Sequence, residues 1–321
     1  MNSARPDLSV IIVNWNVGRF LMQCLRSLQV ALAGVPSEII VVDNGSVDGS
    51  IQLVKQGFPH VRLIANRQNA GFARANNQGI RQSRGRYVLL LNPDTVLFPN
   101  TIEQLVAFMD RTPDAGAAGC KQIYADGQWQ STCHRMITLK REVIVAVGLS
   151  RVFPQWVDYG DLPQQAREPF DVDWVGGACL IARRDLIERA GLLDEKLFMY
   201  AEDADLCHRI RGCGYSVFYL PSVRIVHHRG QSASKSSESA IAADRSILAQ
   251  QYAARRYVIR KHCGKLAAIL YHVFVIVEVV RRLLQDSLET VLPPTRQSRR
   301  LSAHARGDYV AVLKAALRGR M

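Results

Sequence analysis

Acids and a histidine stand at four points where a strand or a helix would deliver them to one edge of a fold. Asp43 follows the apolar run 39–42, and Asp94 follows Val88-Leu89-Leu90-Leu91. Glu202 and Asp203 open a helical pattern, and His227 follows the run 223–226. In an open α/β sheet, ligands bind outside the carboxyl ends of the strands. A carboxylate there can hold a divalent cation, and the cation can hold a diphosphate. Each residue also has a plain structural use. Asn92-Pro93-Asp94 are turn formers. Glu202 and Asp203 suit the positive end of a helix dipole, and a lone histidine is more often structural. Joint placement on one sheet edge is what points to chemistry. Asp94 and His227 would hold a cation on a diphosphate. Asp43 would meet a nucleotide's base or ribose, and one acid of the Glu202-Asp203 pair would be a general base. That set suits displacement of a nucleoside diphosphate from a sugar.

Alternating strands and helices are needed to position these groups. Residues 8–13 read as a strand ending in Asn14-Trp15-Asn16. Phe20, Leu21, Cys24, Leu25 and Leu28 follow at helical spacing, and residues 38–42 read as a second strand. Strand, helix, strand at this spacing is a βαβ unit with parallel strands. Ser46 or Asp48 could cap the next helix, which is the plain structural use of either. After a short strand at 61–64, Asn69-Ala70-Gly71-Phe72-Ala73-Arg74 reads as a loop entering a helix, with small residues where backbone could approach a ligand. Arg74 is a candidate phosphate partner there, or else a solvated surface charge. Asn100 and Glu103 have capping-box-like spacing, and residues 115–123 form another strand. Residues 124–170 carry no clear period, as a binding loop or lid would. Order returns with a strand around Cys179-Leu180-Ile181, a short helix at 185–190, a helix anchored by Leu206 and Ile210, and two strands at 214–220 and 223–226.

Composition places the charge away from these motifs. The chain of 321 residues is 48% hydrophobic and 21% charged, which fits a folded protein. From residue 251 onward there are 14 Lys and Arg against 4 Asp and Glu, so +10 of the net +13 lies there. Residues 240–261 read as a helix with a basic, aromatic face. Residues 266–280 are strongly apolar, short of the roughly 20 residues a spanning helix needs, and flanked by Lys261, Lys265, Arg281 and Arg282. This pattern suits a helix lying on an anionic membrane surface. A buried core helix is the structural alternative, and no motif supports nucleic-acid binding. Seven cysteines without a CxxC pair suit buried free thiols in a reducing compartment. The N-terminus has no apolar h-region. The expected location is cytoplasmic, peripheral on the inner face of the cell membrane.

The motifs in order resemble the family 2 glycosyltransferases of GT-A fold, most closely their bacterial rhamnosyltransferase-like branch. The resemblance rests on Ser9-Val10-Ile11-Ile12-Val13-Asn14-Trp15-Asn16, Val42-Asp43-Asn44-Gly45-Ser46-Val47-Asp48-Gly49-Ser50, Asn69-Ala70-Gly71-Phe72-Ala73-Arg74-Ala75-Asn76-Asn77 and Leu91-Asn92-Pro93-Asp94. It continues in Gly177-Ala178-Cys179, Tyr200-Ala201-Glu202-Asp203-Ala204-Asp205-Leu206 and His227-His228-Arg229-Gly230-Gln231-Ser232, and spans roughly residues 8 to 232. It implies a Rossmann-like, mostly parallel central sheet flanked by helices. A GT-A catalytic domain would occupy residues 1–235, and a helical, membrane-associating extension residues 236–321. It further implies inverting transfer from a nucleoside-diphosphate sugar with Mg²⁺ or Mn²⁺, onto a glycan or lipid-linked acceptor, with a lean to L-rhamnose from a dTDP-sugar. Asn14, Asp43, Asn44, Arg74 and Asn92 would serve the donor. Asp94 and His227, or its neighbour His228, would serve the metal. Asp203 would be the catalytic base, with Glu202 second. Asn92 stands where the family's motif has its first Asp, which removes one charge from the ligand set. The rival readings are a non-catalytic sugar-nucleotide or glycan-binding module, a nucleotidyltransferase lacking its Gly-rich Lys loop, and a DNA-binding protein using the basic tail.

Overall fold

The computed structural model describes residues 5–147, 149, 152–228, 237–289, 310, 312 and 313. Strand β1 (Leu8–Asn14) is buried along its whole length. Its side chains divide by parity, as a pleat requires: Leu8, Val10 and Ile12 enter one core, Ile11 and Val13 the other. Two apolar layers therefore face this strand. Helix α1 (Gly18–Ala31) buries Leu21, Cys24, Leu25 and Leu28, the helical spacing seen in the sequence. Strand β2 (Ser37–Asp43), helix α2 (Ser50–Gly57) and strand β3 (Arg62–Ala65) follow. Helix α3 (Phe72–Gln82) packs on β1 through Gly79, where an added Cβ would lie 2.5 Å from Ile11 Cγ2. One small residue of this stretch thus serves helix–sheet packing.

The chain continues through β4 (Tyr87–Leu91), β5 (Thr95–Leu97), α4 (Thr101–Arg111), β6 (Ala115–Ile123), β7 (Trp129–Gln130), β8 (Cys133–His134), α5 (Leu139–Ala146), α6 (Leu162–Gln165), β9 (Phe170–Val172) and β10 (Trp174–Val175). It closes with β11 (Cys179–Arg183), α7 (Arg184–Arg189), α8 (Glu202–Gly212), β12 (Ser216–His227), α9 (Ser237–Cys263) and α10 (Lys265–Glu289). The main sheet runs in the order β3-β2-β1-β4-β11-β6-β12-β5. Strands β3, β2, β1 and β4 are parallel to one another, as the βαβ reading requires. β11 inserts antiparallel between β4 and β6, which makes the sheet mixed.

Three local expectations change. Asn100 precedes α4 in a left-handed conformation (φ 64°) and makes no capping bond. Gly49 is the residue that precedes α2, also left-handed (φ 83°), so neither Ser46 nor Asp48 caps it from that position. Asp48 instead accepts from the amides of Ser50 (3.1 Å) and Gly18 (2.8 Å). The two strands expected at 214–220 and 223–226 are one strand, β12, interrupted by an irregularity between Leu220 and Arg224 where Pro221 can give no ladder bond.

The chain divides into two compact units. One holds residues 1–136, 159–198 and 202–232, and so contains the main sheet. The other holds residues 137–158, 199–201 and 233–321. In this second unit Val258, Ile259, Ala268, Tyr271 and Val279 are buried, and Glu142 of α5 pairs with Arg255 of α9. Leu266, Ile269, Leu270, Val273, Val277, Val280 and Leu284 form an exposed apolar stripe along α10. No helix among the described residues is long and apolar enough to cross a membrane. Arg229 to Ser232 of the histidine-containing motif, and the Ser-rich stretch up to residue 236, lie outside the described residues.

Candidate active site

The carboxyl ends of β1, β2 and β4 share one sheet edge, because Asn14 is in register with Asp43 and Ile12 with Leu91. β4 ends in the turn that carries Asp94. Thr95 Oγ1 donates to the Asn92 carbonyl at 2.8 Å, and the Cys24 thiol lies 3.6 Å from the same carbonyl, so α1 supports the turn from below. β12 ends beside it. The His228 amide donates to the Asp94 carbonyl at 2.9 Å, and His227 Nε2 lies 3.4 Å from Asp94 Oδ1. The His228 ring sits 5.3 Å from the Phe20 ring instead. Of the two adjacent histidines, His227 is therefore the one that faces the carboxylate. Asn92 Nδ2 is also 3.4 Å from His227 Nε2, so an amide at position 92 sets a donor against that nitrogen where a carboxylate would set another acceptor.

Asp94 and His227 are both buried, and a carboxylate with an imidazole is a donor set a divalent cation accepts. Among the described residues no third His, Cys, Asp or Glu joins them. A cation held here would take its remaining ligands from diphosphate oxygens and water, as Mg²⁺ commonly does.

The second cluster lies at the ends of β1 and β2. Asp43 is 1% exposed and accepts from Asn14 Nδ2 (2.8 Å) and the Ser46 amide (2.9 Å). Ser46 Oγ accepts from Asn14 Nδ2 and the Asn16 amide. Asn14 Oδ1 is buried and has no partner among the described residues. A buried acceptor left open is costly unless a ligand donor meets it. Asn44 is committed differently. Its amide bonds Asn69 Oδ1 (2.8 Å), the Ala70 amide (3.0 Å) and Asn66 Nδ2 (3.1 Å), which ties the β2–α2 turn to the loop before α3.

The third cluster opens α8. The Gly177 amide donates to Asp203 Oδ2 at 2.9 Å, and the next residue, Ala178, accepts from the Asn92 amide at 3.0 Å. Two successive residues before β11 thereby link the Asp94 turn to the helix that carries the acids. Burial raises the pKa of both carboxyls. Glu202 is pushed up to about 8, by burial first and then by the charge on Asp203, and its Oε2 has no partner among the described residues. Asp203 accepts from the amides of Gly177 and Ala204, which favour its charged form. Of the two acids, Asp203 is the one whose charged form the fold supports with hydrogen bonds, while burial and the neighbouring carboxylate work against the charge on Glu202. Asp205, fully buried, is paired with Arg209 at 2.7 Å and anchors the helix.

Arg74 is not gathered into any of these clusters. Its side chain is exposed, 3.9 Å from Glu195. One residue at the edge was not anticipated: Gln130, on the two-residue strand β7, bonds both the ring and the carbonyl of His227. It lies in the stretch without period, and a strand of two residues is too short to show one.

Comparison with known proteins adds sequence and fold relatives. Residues 9–189 match the family model described as Glycosyl transferase family 2. The chain is 33% identical over 249 residues to the N-acetylglucosaminyl-diphospho-decaprenol L-rhamnosyltransferase of Mycobacterium tuberculosis, covering 74% of this chain and 80% of that one. Among solved structures, the mannosyltransferase PcManGT from Pyrobaculum calidifontis, in complex with GDP-Man and Mn²⁺, superposes with a TM-score of 0.56 at 17% identity, covering 99% of this chain and 89% of that one. GalNAc-T7 with UDP, GalNAc and Mn²⁺ superposes with a TM-score of 0.52 at 16% identity, over 75% of this chain and 48% of that one.

Proposed function

The chain belongs to glycosyl transferase family 2, an enzyme of GT-A fold, and we propose that it moves L-rhamnose or another deoxyhexose from a dTDP-sugar, with inversion, to a hydroxyl of a lipid-linked glycan. The observation that carries this reading is the meeting of three clusters at one sheet edge: Asn14 with Asp43, Asp94 with His227, and Asp203, held by the Gly177 and Ala204 amides, beside the buried Glu202. Donor and acceptor follow the Mycobacterium relative, whose name gives L-rhamnose and a diphospho-decaprenol acceptor.

In this mechanism Asp43 and Asn14 hold the nucleoside, with the open Asn14 Oδ1 accepting from a base N–H. Asp94 and His227 would hold a divalent cation, Mg²⁺ or Mn²⁺, which when bound supplies positive charge to offset the negative charge developing on the leaving diphosphate. Asp203 takes the proton from the acceptor hydroxyl as that oxygen attacks the anomeric carbon. A single displacement of this kind inverts the centre. Burial of Glu202 raises its pKa and so disfavours a second negative charge in the base site. The apolar stripe on α10, with Lys265 at its start and Arg281 towards its end, supports docking on the inner face of an anionic membrane, where a polyprenyl-linked acceptor resides. On this reading residues 1–235 carry the chemistry and residues 236–321 the membrane contact.

A thermal-shift screen of dTDP, UDP and GDP, each with and without Mn²⁺, tests the donor site, because a ligand of the folded state raises the melting temperature. A Mn²⁺-dependent rise with dTDP above the other two is expected. A rise confined to UDP or GDP overturns the dTDP assignment. No rise with any nucleotide, together with no transfer from a dTDP-sugar, returns the chain to a binding module on this fold.

A further inference from the structure

Gln130 lies outside the three clusters yet bonds a residue of one of them. Its side chain is 3% exposed and reaches one residue with both ends. Gln130 Nε2 donates to the His227 carbonyl at 2.6 Å, and Gln130 Oε1 lies 3.1 Å from His227 Nδ1. The first bond decides the second. Because the amide nitrogen is turned to a carbonyl, the amide oxygen must be the atom facing the ring, and an oxygen there needs a ring N–H. The neutral imidazole is therefore the Nδ1–H form, and its lone pair lies on Nε2, the nitrogen that faces Asp94 Oδ1 at 3.4 Å. Two acceptors at that spacing repel unless a positive charge joins them. Asn92 Nδ2, itself 3.4 Å from Nε2, gives only a long contact. The arrangement is that of a ligating histidine whose far nitrogen is held by a fixed acceptor. Gln130 is kept in place in turn by β7, which pairs with β6 through Gln122 and Gln130.

We infer that Gln130 is a positioning residue that sets the tautomer and ring direction of His227, so that Nε2 is presented to a divalent cation held with Asp94. This rests on the cation site proposed above. It goes beyond that site by assigning a role to the short strand β7, and so to part of a segment whose sequence shows no period.

Nitrogen-15 chemical shifts of His227 at pH 8, assigned by their loss in His227→Ala, should show the Nδ1–H form in the wild-type protein. Gln130→Met should lose that preference and weaken Mn²⁺ binding, measured by calorimetry with dTDP present, by roughly 10- to 100-fold. Gln130→Glu, which keeps an acceptor toward Nδ1, should bind Mn²⁺ more tightly than Gln130→Met. An Nε2–H form in the wild type overturns the inference even if Gln130→Met fails to fold, and so does a folded Gln130→Met with unchanged Mn²⁺ affinity. Absence of Mn²⁺ binding by the wild type with each of dTDP, UDP and GDP would overturn the cation site itself, and the tautomer inference would fall with the role assigned to it.

Discussion

At the scale of single residues, neighbours give two adjacent acids different surroundings. Glu202 and Asp203 share the first turn of α8, yet Asp203 takes two amide bonds and Glu202 Oε2 takes none among the described residues. Asp203→Asn is expected to lower transfer by about 10²- to 10⁴-fold, the usual worth of a general base, with nucleotide affinity nearly unchanged. Steady-state rates and calorimetry check this, and near-normal turnover would remove Asp203 from the base role. Glu202 gives a pH signature. Its carboxyl titrates at about 8 in the fold against an ordinary 4.5, so between those values the folded state binds a proton that the unfolded state has lost. Stability must then fall as pH rises through that window. The melting temperature of Glu202→Gln should lack this decline, and should gain on wild type between pH 5 and pH 8.5. Parallel curves for the two proteins would show that Glu202 is ionised in the fold.

At the scale of elements, close packing and strand register place the residues. Parity along β1 and β4 was legible in the sequence, since every alternate apolar residue enters the opposite core. The contact of α3 with β1 was not, because it depends on what lies opposite Gly79. Gly79→Ala should destabilise the fold by about 1–3 kcal/mol through overpacking, with helix propensity returning at most about 1 kcal/mol. Thermal unfolding measures the balance, and a melting temperature above wild type would mean that α3 yields at Ile11. The antiparallel strand β11 was legible as a strand, but its place between β4 and β6 was not. That place lets Gly177 and Ala178 serve the Asp203 and Asp94 sites together.

At the scale of the whole molecule, the chain carries the proposed site and its excess charge in different parts. Most of the net charge lies beyond residue 250, and the apolar stripe of α10 lies there too. Leu270→Glu together with Val277→Glu should abolish co-sedimentation with vesicles containing anionic lipid, while nucleotide binding is retained. Wild-type binding should also weaken as salt rises. Undiminished vesicle binding by the double variant would show that α10 does not meet the membrane.

The sequence by itself determined the alternating strands and helices, the parity of the core, and the acids Asp43, Asp94 and Asp203 at element ends, because these depend on local period and on residue type. It also determined that His227 or His228 ends β12. Only the tertiary structure decided which of the two faces Asp94, that Asn44 is committed to a loop, that Arg74 stands apart, and that Gln130 reaches His227 from 97 residues away. These depend on register and on which atoms meet across the fold. Register is set by the packing of whole layers, and no window of neighbouring residues contains it.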